Sequence, residues 1–260
     1  MVKADLENLK KVFLKYTDSF ILNNNKNKPP FLLKQEHTKR VCYEITRLAD
    51  KLLMSQEDIM LAEAAALLHD IGRFRQYKEY DTFLDSASVN HAKLGYKVIK
   101  DENMLEFCNE KEETLLLNAV LFHNVFALPK KIDKESIFLL KLLRDADKLD
   151  IWKVMADHYS SLDQANNQFI NLGLKDNGNF SQEVLDSVLN GKVVKNNLVK
   201  VLNDFKLFQI SWVFGLNFPE SINRIQEKGC LENIFATLPK SKGIEKAVEY
   251  VKVYIKKNRS

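Results

Sequence analysis

Glycine and proline are scarce in this chain, 8 and 5 among 260 residues, whereas Leu, Lys, Glu, Asn and Ala abound. That balance disfavours turn-dense β architectures and favours helices joined by polar loops. Cysteine is scarcer still. Cys42, Cys108 and Cys230 are far apart, odd in number and contain no Cys-x-x-Cys pair, which leaves no disulfide framework and reads as reduced thiols of a cytoplasmic protein. No apolar run reaches the roughly 18 residues that a membrane-spanning helix needs. Asp5 and Glu7 interrupt the N-terminal amphipathic pattern, so neither a signal peptide nor a membrane partner is expected. Charge of one sign is lacking too. The formal net charge of +4 is spread along the chain, and only Lys256-Lys257-Asn258-Arg259 forms a small basic cluster. Such a tail reads as a solvated helix end, and nucleic acid is not an expected partner.

What is present is helical periodicity. Residues 4–22 read as an amphipathic helix, closed by the Asn23–Pro30 loop. A second helix is expected over about 32–54, and a third opens at Ser55 with Asp58 three residues on, a helix-start signature. Residues 73–87 mix aromatic and charged residues without period and read as an ordered loop. Helices follow over about 88–100, 110–124 and 134–159, the last with Asp133 as N-cap. Residues 163–180, rich in Asn, Gly and Asp, read as irregular and are a candidate lid. Helices resume near 181–190, 196–215, 219–228 and 241–257. The expectation is one all-α domain over 1–260, with a core at about 30–160 and a C-terminal helical extension at about 161–260.

One stretch organises the rest. From Met60 to Leu68 apolar residues lie on almost every side, interrupted only by Glu63, and the run ends in His69-Asp70-Ile71-Gly72-Arg73. The helix should therefore be interior. A carboxylate at its end costs several kcal/mol, on the order of other unpaired buried ions, unless a cation compensates it. Adjacent residues of a helix point about 100° apart, so a neighbouring His and Asp reach one ion most easily at a helix end, where Gly72 fits as a C-cap.

The remaining histidines and one aspartate break apolar stripes in the same way. His37 falls among Leu33, Val41, Ile45 and Leu48; His91 is followed by Leu94, Gly95 and Val98; His123 closes Leu116, Ala119 and Val120; Asp147 lies between Leu140, Leu143, Ile151 and Val154. A lone histidine on such a stripe is more often a hydrogen-bonded core residue than a ligand. Four histidines and two aspartates on five helices, all inward, are hard to satisfy mutually except around metal. Asp145 should point away from Asp147, while Asp150 lies near the same face as a supporting partner.

His37, then His69-Asp70, then Asp147 resembles the H…HD…D motif of the HD superfamily of metal-dependent phosphohydrolases, an all-α fold. The match covers roughly residues 30–160. The resemblance implies that His37, His69, Asp70 and Asp147 bind a first divalent ion and that His91 and His123 serve a second, with Asp70 bridging. The absence of a Gly-Tyr-Pro segment and the reading Phe122-His123-Asn124 argue against the cyclic-dinucleotide phosphodiesterase branch. Mixed imidazole and carboxylate donors suit one or two ions of Mn, Fe, Ni, Co or Zn. The activity implied is hydrolysis of a small phosphorylated metabolite, a nucleotide among the candidates, by a metal-activated hydroxide. Some HD-fold members use the same six ligands as a di-iron oxygenase, and a non-catalytic metal- or nucleotide-binding module is a third reading. Phosphate also needs cations. Arg73, three residues past Asp70, and Lys148, next to Asp147, are candidates for catalysis and substrate contact, with Arg144 and Asn124 as further substrate contacts. Phe74, Tyr77, Tyr80 and Phe83 could stack on a base, although packing is the commoner use of such side chains.

Overall fold

The computed structural model describes residues 1–22, 28–160 and 173–259, and these are helical with no strand. Residues 163–172 of the candidate lid therefore lie outside the described residues. The chain forms two compact units, Met1–Asp150 and Ile151–Ser260. Among the described residues no helix is long and apolar enough to cross a membrane.

The first unit contains α1 (Lys3–Leu22), α2 (Lys28–Lys51), α3 (Gln56–Leu68), α4 (Gly72–Tyr80), α5 (His91–Asp101), α6 (Glu110–Phe122) and the N-terminal part of α7 (Lys134–Ser160). Polar caps set several helix starts. Ser55 Oγ accepts from Asp58 N, Asn90 Oδ1 from Lys93 N, and Asn109 forms a reciprocal capping box with Glu112. Lys28-Pro29-Pro30 belongs to the first turn of α2, where proline's missing N–H costs nothing.

Helix α3 is the interior element, as its apolar circumference predicts. Ala62, Ala64, Ala65, Ala66 and Leu68 are fully buried, and α1, α2 and α6 pack against it. Small side chains let three neighbours approach one helix. An aromatic cluster seals the far side: Phe31 stacks on Phe74 at 6.3 Å, while Phe13 meets Phe74 and Tyr77 meets Phe31 edge-on. Full burial of a side chain of this size contributes about 1.5–3 kcal/mol. Phe74 and Tyr77 are thus committed to the core.

Residues 72–80 form a helix rather than the expected loop, and Gly72 is no C-cap. It is the first residue of α4 and has an ordinary φ. A Cβ there would stand 2.3 Å from His91 O and 2.5 Å from Gly95 N, and one on Gly95 would stand 3.3 Å from Gly72 N. The two glycines let the N-terminal turns of α4 and α5 cross backbone to backbone. That crossing brings His91 beside Asp70.

The second unit holds the C-terminal part of α7 and helices α8 (Gln182–Leu189), α9 (Leu202–Ser211), α10 (Pro219–Lys228), α11 (Cys230–Ala236) and α12 (Lys242–Lys257). Trp152 Nε1 donates to Gln209 O at 2.9 Å. Buried Asp204 accepts from Ser181 N, Ser181 Oγ, Lys200 N and Val201 N, which satisfies the charge locally. Lys206 Nζ donates to Thr237 O at the C-terminus of α11, a favourable place for a cation.

Candidate metal centre

The six residues singled out by their stripes converge. His37 comes from α2, His69 and Asp70 from the turn after α3, His91 from the first turn of α5, His123 from the end of α6 and Asp147 from α7. All four histidines and Asp70 are buried; the Asp147 side chain is 21 % exposed.

Asp70 stands at the centre with its two oxygens facing different partners. Oδ2 lies 3.7 Å from both His37 Nε2 and His69 Nε2. Oδ1 lies 3.4 Å from His91 Nε2 and 3.8 Å from His123 Nε2. Asp147 Oδ1 completes the first group, 3.2 Å from His37 Nε2 and 3.8 Å from His69 Nε2. Two ligand sets thus share one carboxylate: His37, His69 and Asp70 on one side, Asp70, His91 and His123 on the other.

The opposite ring nitrogens are all engaged. His69 Nδ1 meets Ala66 O at 2.7 Å and His123 Nδ1 meets Val120 O at 2.8 Å. His37 Nδ1 meets Asp150 Oδ2 at 2.7 Å and His91 Nδ1 meets Asp85 at 2.8 Å. Carbonyl and carboxylate oxygens only accept, so each Nδ1 carries a proton and donates. In a neutral ring the lone pair then sits on Nε2. Yet His37 and His69 Nε2 are 3.3 Å apart, and His91 and His123 Nε2 are 3.0 Å apart. Two lone pairs cannot satisfy each other across such a gap. An electrophile between them can, and mixed imidazole and carboxylate donors suit a divalent transition ion.

Charge points the same way. Burial, with Arg73 adding to it at His91, lowers the His69 ring to about 4 and the His91 ring to about 3, so both are neutral near pH 7. Burial also opposes a charge on His37, but the Asp147 and Asp150 carboxylates outweigh it and hold that ring above its ordinary value. Burial would push Asp70 upward; Lys34, His69, His123 and Arg73 outweigh it and keep the carboxyl well below its usual range. Asp147 is depressed likewise by its His37 contact.

A supporting layer surrounds the ligands. Asp150 holds His37 and is itself clamped by Arg40, whose Nε and Nη2 donate at 2.6 and 3.1 Å. Asp85 holds His91 and accepts from Arg73 Nη1, Gln76 Nε2 and Asn124 Nδ2. Arg73 Nη1 also donates to Phe83 O and Gln76 Oε1, while its buried Nε, 3.4 Å from Asp70 Oδ1, donates to no acceptor. Asn124 therefore braces the His91 support, and Arg73 ties α4 to the 83–85 turn beside Asp70. Arg144 Nη1 donates to Val125 O at 2.6 Å, just past His123. Asp145 is buried and lies 3.9 Å from Lys148 Nζ. Tyr80 is exposed, and Phe83 packs on Tyr77 at 4.8 Å.

Two contributors escaped sequence reasoning. Lys34 Nζ donates to Asp70 Oδ2 at 2.8 Å, and Asp85 anchors His91. Lys34 precedes His37 by three residues and shares its helix face, but a lysine there reads as a solvated charge rather than a ligand. Asp85 lies in a short 3-10 turn where no periodicity marks it.

Residues 35–152 match the family model described as HD domain, a span that contains every ligand candidate. No curated protein and no solved structure matches the chain significantly.

Proposed function

This chain carries an HD domain, the all-α domain of a superfamily of metal-dependent phosphohydrolases, and from that premise we propose that it hydrolyses a small phosphorylated metabolite, a nucleotide among the candidates. One observation carries the reading: four buried Nε2 atoms and the two oxygens of Asp70 converge as two donor sets, each ring held by its Nδ1 with Nε2 turned inward. Divalent ions held there acidify water and neutralise phosphoryl charge. The protein's own contribution is orientation. Asp150, Asp85, Ala66 O and Val120 O fix each ring with Nε2 inward. Asp70 is proposed to bridge, with His37, His69 and Asp147 on one side and His91 and His123 on the other.

Cations around the centre support phosphate as the ligand class. Arg73 has a buried Nε donor to spare beside Asp70 Oδ1. Arg144 and Lys148 flank Asp147 on α7, and burial depresses both, which makes an anionic partner favourable to each. We assign Arg73, Arg144 and Lys148 to the substrate's phosphoryl group, with Asn124 acting on it from the His91 side. A di-iron oxygenase would use the same six donors. A screen of phosphorylated metabolites against protein loaded with Mn, Co, Ni, Zn or Fe(II) separates the two. Metal-dependent phosphate release that disappears in His69→Ala is the expected result; oxygen consumption with iron and no phosphate release under any metal would replace the proposal.

A further inference from the structure

Two cations touch the bridging carboxylate, and they differ in what else they do. Arg73 is bound through Nη1 to Phe83 O, Gln76 and Asp85, so it is fixed in place. Lys34 is not. Its Nζ donates to Asp70 Oδ2 at 2.8 Å and stands 5.3 Å from the Phe83 ring centroid, with no other hydrogen-bond partner among the described residues. An ammonium has three donors, so two are unspent, and the side chain is 18 % exposed. A ring face holds a cation without consuming a donor.

Asp70 Oδ2 is the oxygen that faces His37 and His69. In the chain alone, Lys34 supplies the positive charge at Oδ2, with Arg73 beside Oδ1. A divalent ion on the same oxygen takes over that neutralising task, and the ammonium over Phe83 then needs a new anion. We infer that Lys34 is a substrate-binding residue that donates to a non-bridging oxygen of the phosphoryl group, and that it balances Asp70 only while no divalent ion is bound. The inference rests on the proposed hydrolase reading but adds a residue and a role to it. It also predicts a trade: losing Lys34 weakens the oxyanion's hold without weakening the metal's.

The test uses inorganic phosphate as the probe, so it does not depend on catalysis. Calorimetry measures Mn(II) binding to the metal-free chain, then phosphate binding to the Mn-loaded chain, for wild type, Lys34→Gln and Lys34→Arg. The expected result is phosphate affinity lower by about tenfold in Lys34→Gln, the worth of one charge-assisted hydrogen bond. Mn affinity should be equal or higher, and Lys34→Arg should recover most of the phosphate affinity. Thermal melting adds a second readout. Lys34→Gln lowers Tm in the metal-free chain, where Asp70 Oδ2 loses its ammonium and Asp70 keeps only Arg73 at Oδ1, and the deficit closes on Mn loading. A phosphate change below about threefold, too small for a lost ionic contact, overturns the inference. So does Mn affinity that falls in parallel, or a wild-type loaded chain that binds no phosphate. Absence of phosphate release from every ester tried would count against the hydrolase reading while leaving this binding result to judge Lys34.

Discussion

The two halves of the candidate metal centre are alike in design and unequal in means. Each has one histidine backed by a carboxylate and one backed by a helix carbonyl: His37 on Asp150 and His69 on Ala66 O, then His91 on Asp85 and His123 on Val120 O. Each uses one oxygen of Asp70. The first half adds Asp147 and so has a carboxylate of its own, whereas the second has only its share of Asp70. Their scaffolds differ as well. The first half spans α2, α3 and α7, while the second depends on the glycine crossing of α4 and α5. If both halves hold ions as proposed, the half with fewer carboxylates should bind its ion more weakly and lose it more readily.

Four changes would break or sharpen that contrast. The largest effect belongs to Asp70→Ala, which removes the carboxylate both halves share. Metal-dependent turnover should fall by more than the roughly 10–100-fold typical of losing a supporting partner, and metal-induced thermal stabilisation should vanish. Equal activity and metal content in the variant would refute the bridge. Next comes Gly72→Ala. The new Cβ meets His91 O at 2.3 Å, so α4 and α5 must separate, at a cost of about 1–3 kcal/mol for overpacking. Melting should show the loss, and metal analysis should show the second-half ion gone with the first retained.

The supporting carboxylates test the halves one at a time. Asp150→Asn should weaken the first ion and Asp85→Asn the second, each by about 10–100-fold with little effect on the other. Calorimetric titration of both variants reads this directly, and identical losses in both would mean that the halves are not separable. The smallest effect is in pH. His37 is held above the ordinary value of about 6.5, so it stabilises the metal-free chain fully below about pH 6, and that stabilisation is lost as pH rises through the raised value. Tm of the metal-free wild type relative to His37→Gln should therefore decline over this range, while the buried neutral His69 and His91 act in the opposite sense in both chains. The same deprotonation frees the ring to ligate, so first-half metal affinity should rise with pH. In the second half His91, lowered to about 3, is already neutral. A first half insensitive to pH would deny His37 its proton.

Much of this centre was legible because buried polar residues interrupt apolar stripes, and each of the six interruptions pointed inward. The helix periods of α1, α3, α5, α6 and α12 were equally plain, since amphipathic or wholly buried helices write their packing into the sequence. Helix α4 was not. It is nine residues long and anchored by Phe74 and Tyr77 rather than by a stripe, so its pattern read as loop. By sequence Gly72 fits the commoner role of a glycine at a helix end; only the position of α5 shows that it allows close approach. The seven-residue helix Cys230–Ala236 is too short to show a period. Asp85, in a short 3-10 turn, matters through what it touches across the fold, a relation that spacing does not encode, whereas Lys34 shares the His37 face but shows its role only once Asp70 lies beside it.

The most direct measurement is the number of Mn(II) ions bound per chain, followed by the electron paramagnetic resonance of free and coupled Mn(II) during titration of the metal-free protein. The account predicts two ions in sequence, one tight and one weaker, spin-coupled through Asp70, with the weaker one absent in His123→Ala. Only adventitious binding in the wild type, or a count unchanged by His123→Ala, would contradict it.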